Sequence, residues 1–509
     1  MEHFDTDVII AGAGPTGLML AGELRLAGVA TIVVDRLAEP VKQSRALGFS
    51  ARTIEEFDQR GLLPRFGELN TIPIGHFGGL AIDYRVLEGG SYGARGKPQS
   101  LTEAVLAGWA VELGATVYRG YEVTGLSQDP EGVTVVLTTP DGTRRMRARY
   151  LAGCDGGRST VRKLVGVGFP GTDPVIEMWF ADVAGCTLRP RFSGERVPGG
   201  MVMVLPLGPG VNRVVVYEHG MKRNGDGAPS FTEVADAWKR LTGEDISGGT
   251  PLWTSWTTDS SRQAAEYRSG QVFLLGDAAH IHLPTGAQGM SAGIGDAMNL
   301  GWKLGMEIRG DASPGLLDSY HAERHPVGAR ILTNTLAQRI LYLSGPEMDP
   351  MQEVMAELLG YEDVRRHLVG MVTGLDIRYD VGPGDHPLVG RRLPNTEIAT
   401  DSGRPGGTAA FQFLHSGRGV VLDLAGDEAI RAAAAGWPDR VDAVTAASRP
   451  AGALVDVEAV LVRPDGYIAW IGAGGSGLAG LPDALTRWFG QPRDPREAGH
   501  SSRVSRQSL

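Results

Sequence analysis

Hydrophobic and polar positions alternate along this chain in blocks with two different periods. The first block is DVII at residues 7–10, a continuous apolar run that ends in a glycine turn. Apolar positions at helical spacing follow through Arg25, and a second apolar run, TIVVD, closes at Asp35. Strand, turn, helix and strand in that order predict a βαβ unit. Leu101, Val105, Leu106 and Leu113 predict a helix over 100–115, with strands near 133–138 and 147–153. From 175 to 218 the pattern becomes short β-rich runs, WFADVAG, MVMVLPL and NRVVVYE, split by Gly and Pro. They predict an antiparallel sheet in a second lobe. FTEVADAWKRLT (231–242) reads as an amphipathic helix and QVFLL (271–275) as a strand. After a glycine-rich loop, Ala297, Leu300, Gly301 and Leu304 share one face of a helix over 293–308, and helical patterning continues to about 370. A Gly/Pro/Asp-rich stretch over 380–405 marks a linker. Residues 406–490 then alternate strand and helix as a small α/β module, and the polar tail RDPREAGHSSRVSRQSL is expected to be disordered.

Composition narrows the class. A chain of 509 residues has room for two to four domains. Glycine is abundant, 73 of 509, about twice the usual ~7%, which predicts many turns and close backbone approaches. The net charge of −10 argues against a nucleic-acid or anionic-membrane surface. With Cys154 and Cys186 alone there is neither a disulfide framework nor a four-cysteine metal site. No secretory signal and no membrane-length apolar run is visible, so a cytoplasmic enzyme is expected.

Two stretches fit G-x-G-x-x-G: GAGPTG at 12–17 and GAGGSG at 472–477. The first has the context that a dinucleotide pyrophosphate needs. Gly12 makes the turn after a strand, Gly14 lets backbone approach phosphate, and Gly17 lets the helix lie close to the sheet. The helix start supplies free N–H groups. Asp35, at the end of the second strand, accepts from a ribose 2′-hydroxyl and repels a 2′-phosphate, which favours FAD or NAD over NADP. GAGGSG has no second strand or acidic residue after it, so it reads as a flexible loop.

Two distant segments add to the first motif. YLAGCDGGRSTVRKLVG (150–166) runs a strand into Asp155-Gly156 and a helix, and VFLLGDAAHIHLPTGAQGMSAGIGDAMNLGWKL (272–304) runs one into Gly276-Asp277 and a second helix start. GAGPTG, GCDGGRSTVR and GDAAHIHLP, in this order, resemble the class A flavoprotein monooxygenases, the para-hydroxybenzoate hydroxylase group. SRALGFSART, FDQRGLLPRFG, GHFGGLAID, VADAWKRLTG, SYHAERH and RPDGYIAW make the chain similar to the aromatic polyketide hydroxylases of angucycline biosynthesis over nearly all of 5–490.

That resemblance implies an α/β fold: a Rossmann-like FAD-binding domain, an inserted β-sheet substrate domain and a C-terminal thioredoxin-like domain that lacks C-x-x-C. Its expected division is 1–174 and 270–395 for the FAD domain, 175–269 for the substrate lobe with 75–98 contributing, 396–490 for the C-terminal domain and 491–509 for the tail. Carried over by motif, Gly12, Gly14, Pro15, Thr16 and Gly17 hold the pyrophosphate, and Asp35 and Arg36 the adenosine ribose. Arg45 and Gln99 approach phosphate and ribityl groups, Leu101 is a further cofactor-binding position, Val123 lines the adenine pocket by its backbone, and Asp155 serves FAD and the passing nicotinamide cofactor. Asp277 binds the ribityl or pyrophosphate region, while Pro284, Gly289, Met290 and Ser291 lie at the isoalloxazine ring. NADPH visits transiently, with NADH as the alternative; O2 then adds at flavin C4a, and the hydroperoxide hydroxylates an aromatic polyketide, an angucyclinone by this resemblance. A homodimer is the family expectation. His76, Trp179, Met201 and Met203 are candidate substrate-lining residues, with ordinary core as the competing reading for each. No general acid or base stands out.

Two positions depart from the family text: Ala287 stands where Gly is common and Ser291 where Asn is usual. Ser291 also creates G-M-S-A-G, a match to the hydrolase pattern that lacks the strand directly before it. His280 and His282 have no third ligand nearby, so no metal is expected. The alternatives to hydroxylation are Baeyer–Villiger oxygenation or drug inactivation on the same fold, a non-catalytic flavin-binding protein, and a serine hydrolase.

Overall fold

The computed structural model describes residues 3–87, 91–223, 225–400, 407–448, 450–475 and 477–493. The strand Thr6–Ala11, the helix Pro15–Leu26 and the strand Thr31–Asp35 form the expected βαβ unit. Val8, Ile9 and Ile10 are all buried, as a parallel strand covered on both faces requires. Pro15 opens the helix where its missing N–H costs no hydrogen bond.

The first strand pairs in parallel with Thr31–Asp35 on one side and with Gly142–Gly153 on the other, and the latter pairs in parallel with Val272–Leu274. Their carboxyl ends are aligned: Ala11 sits beside Gly153, and Gly153 beside Leu274. Three segments far apart in sequence therefore deliver their loops to one edge of the sheet, where open α/β sheets bind ligands. The strand Glu122–Gln128 extends an antiparallel flap from the hairpin of Val133–Thr139 and Gly142–Gly153. Its sequence, EVTGLSQ, has too little alternation to be read as a strand in advance.

The second lobe is a five-stranded antiparallel sheet in the order Arg191–Val197, Gly200–Gly208, Val211–Glu218, Glu177–Ala184, Thr250–Thr258. The helix Phe231–Thr242 begins at a Ser230/Glu233 capping box and ends at left-handed Gly243. Its Val234, Trp238 and Leu241 cover the outer face of the sheet, against Trp179, Val202 and Val216.

The helix predicted from 293 begins at Gln288 and runs to Ile308. Gly289, Gly293 and Gly295 lower local propensity and hide its first turns from sequence reading; packing overrides them. The helices Asp318–Leu343 and Glu362–Thr373 follow. The C-terminal module is thioredoxin-like: the sheet runs Val441–Thr445, Gly419–Asp423, Val457–Val462, Ile468–Ala473, with helices Glu428–Ala434 and Leu481–Phe489. GAGGSG lies at the end of its edge strand, which pairs antiparallel with Val457–Val462, so no βαβ unit forms there. Ser476 of that loop, residues 401–406 of the linker and 494–509 of the tail lie outside the described residues.

Candidate active site

The glycine turn has the shape of a phosphate cradle. Gly12 has φ 108°, and a Cβ there would run into the Cys154 carbonyl, while one on Gly17 would strike the Gly12 carbonyl. A Cβ on Gly14 would meet open space. Gly14 caps the following helix without a side chain, so the first N–H groups stay available to an anion. Asp35 Oδ2 accepts from the Ala13 N–H at 2.7 Å and Oδ1 from the Leu37 N–H at 2.8 Å. The carboxylate ties strand end to glycine turn and keeps lone pairs for a ribose hydroxyl. Arg36, next to it, is exposed.

Thr16 joins the beginning of the chain to its middle. A Cβ at Gly276 or at Gly293 would press on Thr16 Oγ1, so the turn at Gly276 and the helix Gln288–Ile308 both meet it at backbone contact. Asp277 is exposed beside buried Gly276. The Gly276 N–H donates to Asp296 at 3.0 Å, as do His280 Nε2 at 2.8 Å and Arg324 Nε at 2.6 Å. Burial works to raise the Asp296 pKa, but Arg324 and His280 outweigh it and hold it at about 2. His280 is thus a buried partner of Asp296. Among the described residues no group of His, Cys, Asp and Glu could hold a metal ion.

The other motif residues line up along this edge with distinct jobs. The Asp155 carboxylate accepts from Ser159 Oγ at 2.5 Å and from the Thr160 and Val161 N–H groups at 2.7 and 3.0 Å, so it caps its own helix. Gln99 opens the helix Gln99–Glu112 and donates to Glu103 at 2.8 Å. The Gln99 and Ser100 N–H groups bolt that helix start to Ala46 O and Ser44 Oγ, in the loop that carries exposed Arg45. Leu101 is half-buried, and Val123 is buried on the flap. At the second helix start Pro284 is exposed, and Gly289 and Met290 are half-buried. Ser291 Oγ donates to Ala287 O at 3.1 Å and accepts from the Ser50 N–H at 3.2 Å. Ser291 lies inside the first helical turn, bonded to backbone on both sides; the strand-to-helix elbow of a serine hydrolase is absent here, which corrects that alternative.

A cavity of about 500 Å³ lies between the second lobe and this edge, bordered by Gly286, Ala287 and Phe49. Register explains how the lobe builds its wall. Met178, Tyr217 and Met201 form one cross-strand row, Phe180, Val215 and Met203 the next, and Asp182, Arg213 and Leu205 the third. The first two rows pack as core against Leu283 and Tyr342. The third row opens onto the cavity, with Leu207 beyond it. Of the four candidate lining residues, only His76 borders the cavity. Trp179 falls on the outer face because strand residues alternate, and Met201 and Met203 belong to the packed rows.

Asp182, Arg213, Tyr84, Arg95 and Phe192 were not anticipated. The signal was present for two: Asp182 and Arg213 are charges inside apolar strands, directly opposite each other. Arg213 binds Asp182 through two bonds of 2.7 and 2.8 Å and donates to Ser44 O and Arg45 O at 2.5 and 2.9 Å, which fixes the lobe to the Arg45 loop. His76 Nδ1 accepts from the Gly79 N–H at 3.3 Å, so its proton sits on Nε2. Burial, then Arg95, lowers the His76 pKa to about 4, and burial pushes the Tyr84 phenol up to about 12. At neutral pH both are uncharged hydrogen-bond donors.

The comparisons with known proteins agree with this geometry. The FAD binding domain family matches residues 5–335, and the C-terminal family of aromatic-ring hydroxylases matches residues 386–492. The chain is 45% identical to the 12-dehydrotetracycline 5-monooxygenase/anhydrotetracycline 6-monooxygenase of Streptomyces rimosus, over 96% of this chain and 99% of that protein. The crystal structure of AlpK, 62% identical, superposes with TM-score 0.88 over 96% of this chain and 99% of that one. The structure of CabE, an aromatic hydroxylase from angucycline biosynthesis, is 53% identical with TM-score 0.91, over 96% and 100% of the two chains. Glycine cradle, acidic strand end and aligned loops fit FAD, and the chain belongs to the FAD-dependent aromatic-ring hydroxylases.

Proposed function

We propose that this protein hydroxylates a polycyclic aromatic polyketide, an angucyclinone, in antibiotic biosynthesis, with NADPH as the transient reductant. The observation that carries the reading is the 500 Å³ cavity between the second lobe and the cofactor edge, walled by Phe49, Ile72, Phe192, Leu205 and Leu207. A flat apolar ligand fits such a space, whose size is that of a usual small-molecule site of about 300–1,000 Å³. The 53% identity to a hydroxylase from angucycline biosynthesis supports this ring system, and the 45% identity to a tetracycline monooxygenase supports the chemistry.

Bound FAD supplies activated oxygen as an electrophile. The chain's own residues bind, orient and shield. Phe192, Leu205 and Leu207 give one wall an apolar surface against which a flat ring can lie. His76 and Tyr84 offer neutral donors to phenol or quinone oxygens. Arg213 and Asp182 hold the lobe to the Arg45 loop, so the substrate wall and the cofactor edge keep one spacing. The glycine-turn helix and Asp35 retain the nucleotide end. We place the enzyme in the cytoplasm as a homodimer, binding neither nucleic acid nor membrane; among the described residues no helix is long and apolar enough to cross a bilayer.

Turnover of an angucyclinone panel with NADPH under labelled O2 tests the reading. One labelled oxygen on an intact ring skeleton is the expected product. A lactone would replace it with ring-inserting oxygenation, and FAD-bound protein that incorporates no oxygen into any panel member would leave a flavin-binding role.

A further inference from the structure

A second cavity, of about 330 Å³, lies behind the first. Ser50, Val372 and Thr373 border both cavities, so they form a shared wall. Ser50 is held in that wall by the bond from its N–H to Ser291 Oγ. The far side is built by the helix Ala51–Asp58, the start of Gln288–Ile308, the helix Asp318–Leu343 and the segment 374–380.

The rear cavity is apolar over much of its surface but contains polar atoms without partners. Glu56 Oε2, Arg52 Nε and Asp376 Oδ1 are buried and lack a hydrogen bond. Arg52 Nε lies 3.4 Å from Glu56 Oε1, close enough for ion pairing but misaligned for a hydrogen bond. Glu56 and Arg52 are only 3% and 4% exposed, so bulk solvent does not satisfy them. Buried polar groups around a roomy cavity bind ordered water, and the volume holds roughly ten molecules at ~30 Å³ each.

We propose that this rear chamber is a water-filled proton sink for the substrate cavity, with Glu56 as the proton-accepting group. The inference rests on the phenolic substrate proposed above. The phenol O–H bond breaks heterolytically, its proton crosses the Ser50 wall through water, and an O–H bond forms at Glu56 Oε2. The phenolate left behind is the electron-rich ring that an electrophilic oxygen attacks. Charge is conserved, and the step needs no oxidant.

The surroundings suit Glu56 to this task. Burial raises its carboxyl to about 7, against Arg52 and Arg324, which pull it down, and with Glu55 and Asp296, which push it up. Tyr467 and Tyr379 add phenols from the C-terminal module and the 374–380 segment, and Arg330 is paired to Asp376. Arg324 is committed to Asp296, Tyr379 and Ala292 O, and Arg52 to Glu55 and Asp465 O, so no cation closes on Glu56 Oε2.

Two measurements on FAD-loaded protein test this, with 2-naphthol, a polycyclic phenol that keeps its proton in water at about pH 8, as probe. Infrared titration of the probe-free wild type is expected to show a buried protonated carboxyl that vanishes between about pH 6 and 8, and Glu56→Gln is expected to lack it. At about pH 8, where Glu56 is mostly ionised and free 2-naphthol keeps its proton, 2-naphthol bound as its naphtholate is expected to release little proton to bulk from wild type. Glu56→Gln is expected to release close to one per bound naphtholate, and Glu56→Asp, which keeps a carboxylate, to restore retention. Absence of the infrared band in wild type overturns the proposal without reference to any substrate. Equal proton release from wild type and Glu56→Gln overturns it with the cavity reading intact. Failure of wild type to bind 2-naphthol removes the phenol reading of the cavity and this proposal with it.

Discussion

Ala287 is the single non-glycine residue with positive φ among the described residues, at 56°, and it caps the helix that faces the cofactor edge. An L-residue there costs about 1–2 kcal/mol. Ala287→Gly removes that strain but adds unfolded-chain entropy of about 0.5–1 kcal/mol. A net gain of roughly 0.5–1 kcal/mol is expected, read as a raised denaturant midpoint at unchanged slope. His76 sets a pH dependence. Its folded pKa, about 4, lies below the ordinary 6.5, so the fold disfavours its protonated form. The unfolded chain then binds more protons across that window, and stability falls as pH drops from 6.5 toward 4. His76→Gln is expected to flatten this part of the acid-unfolding curve, and a curve that keeps its slope would assign the loss to other groups. The departure at Ser291 was legible in the sequence. Its consequence was not, because the Ser50 N–H that it binds lies 241 positions away in the chain.

Contact between elements, more than propensity, positions the site. The helix Gln288–Ile308 approaches the first glycine turn so closely that a Cβ at Gly293 would strike Thr16 Oγ1. Gly293→Ala is expected to cost about 1–3 kcal/mol by overpacking, with a matching loss of retained FAD. The double variant Thr16→Ala/Gly293→Ala is expected to recover part of that stability, and strict additivity in the cycle would show that the two residues do not touch. In the substrate sheet, β-rich runs split by Gly and Pro identified the strands, and Met201 and Met203 fall two apart on one face of theirs. The pattern did not reveal where along that face the packed core ends. That point falls at Leu205, where Leu283 and Tyr342 no longer cover the face.

Across the whole molecule, the C-terminal module is locked onto the cofactor domain. Arg463 is fully buried and donates to Glu323 at 2.7 and 2.8 Å, next to Lys303, which burial lowers to about 8 against the pull of Glu323. Arg60 binds Glu23 through bonds of 2.5 and 2.7 Å and reaches Pro464 O at 2.8 Å from the same interface. Arg463→Ala leaves Glu323 and Asp465 short of their buried partner, at an expected cost of about 3–5 kcal/mol. Scanning calorimetry should show module and cofactor domain unfolding together at a lower temperature; two separated transitions in wild type would contradict the interlock. The linker composition over 380–405 suggested a boundary, but the buried charges of RPDG at 463–466 make the two parts one structure.

The main run of strands and helices, the one glycine fingerprint with a complete βαβ setting and the lack of a C-x-x-C pair were legible in local pattern, because turn chemistry and periodicity act over a few residues; the strand Glu122–Gln128 was not. Pairing far along the chain is set by packing, which no local pattern encodes. Only the folded molecule therefore decided that Asp155 caps its own helix, that Trp179 faces outward, and that Asp182, Arg213 and Glu56 stand around two adjoining cavities.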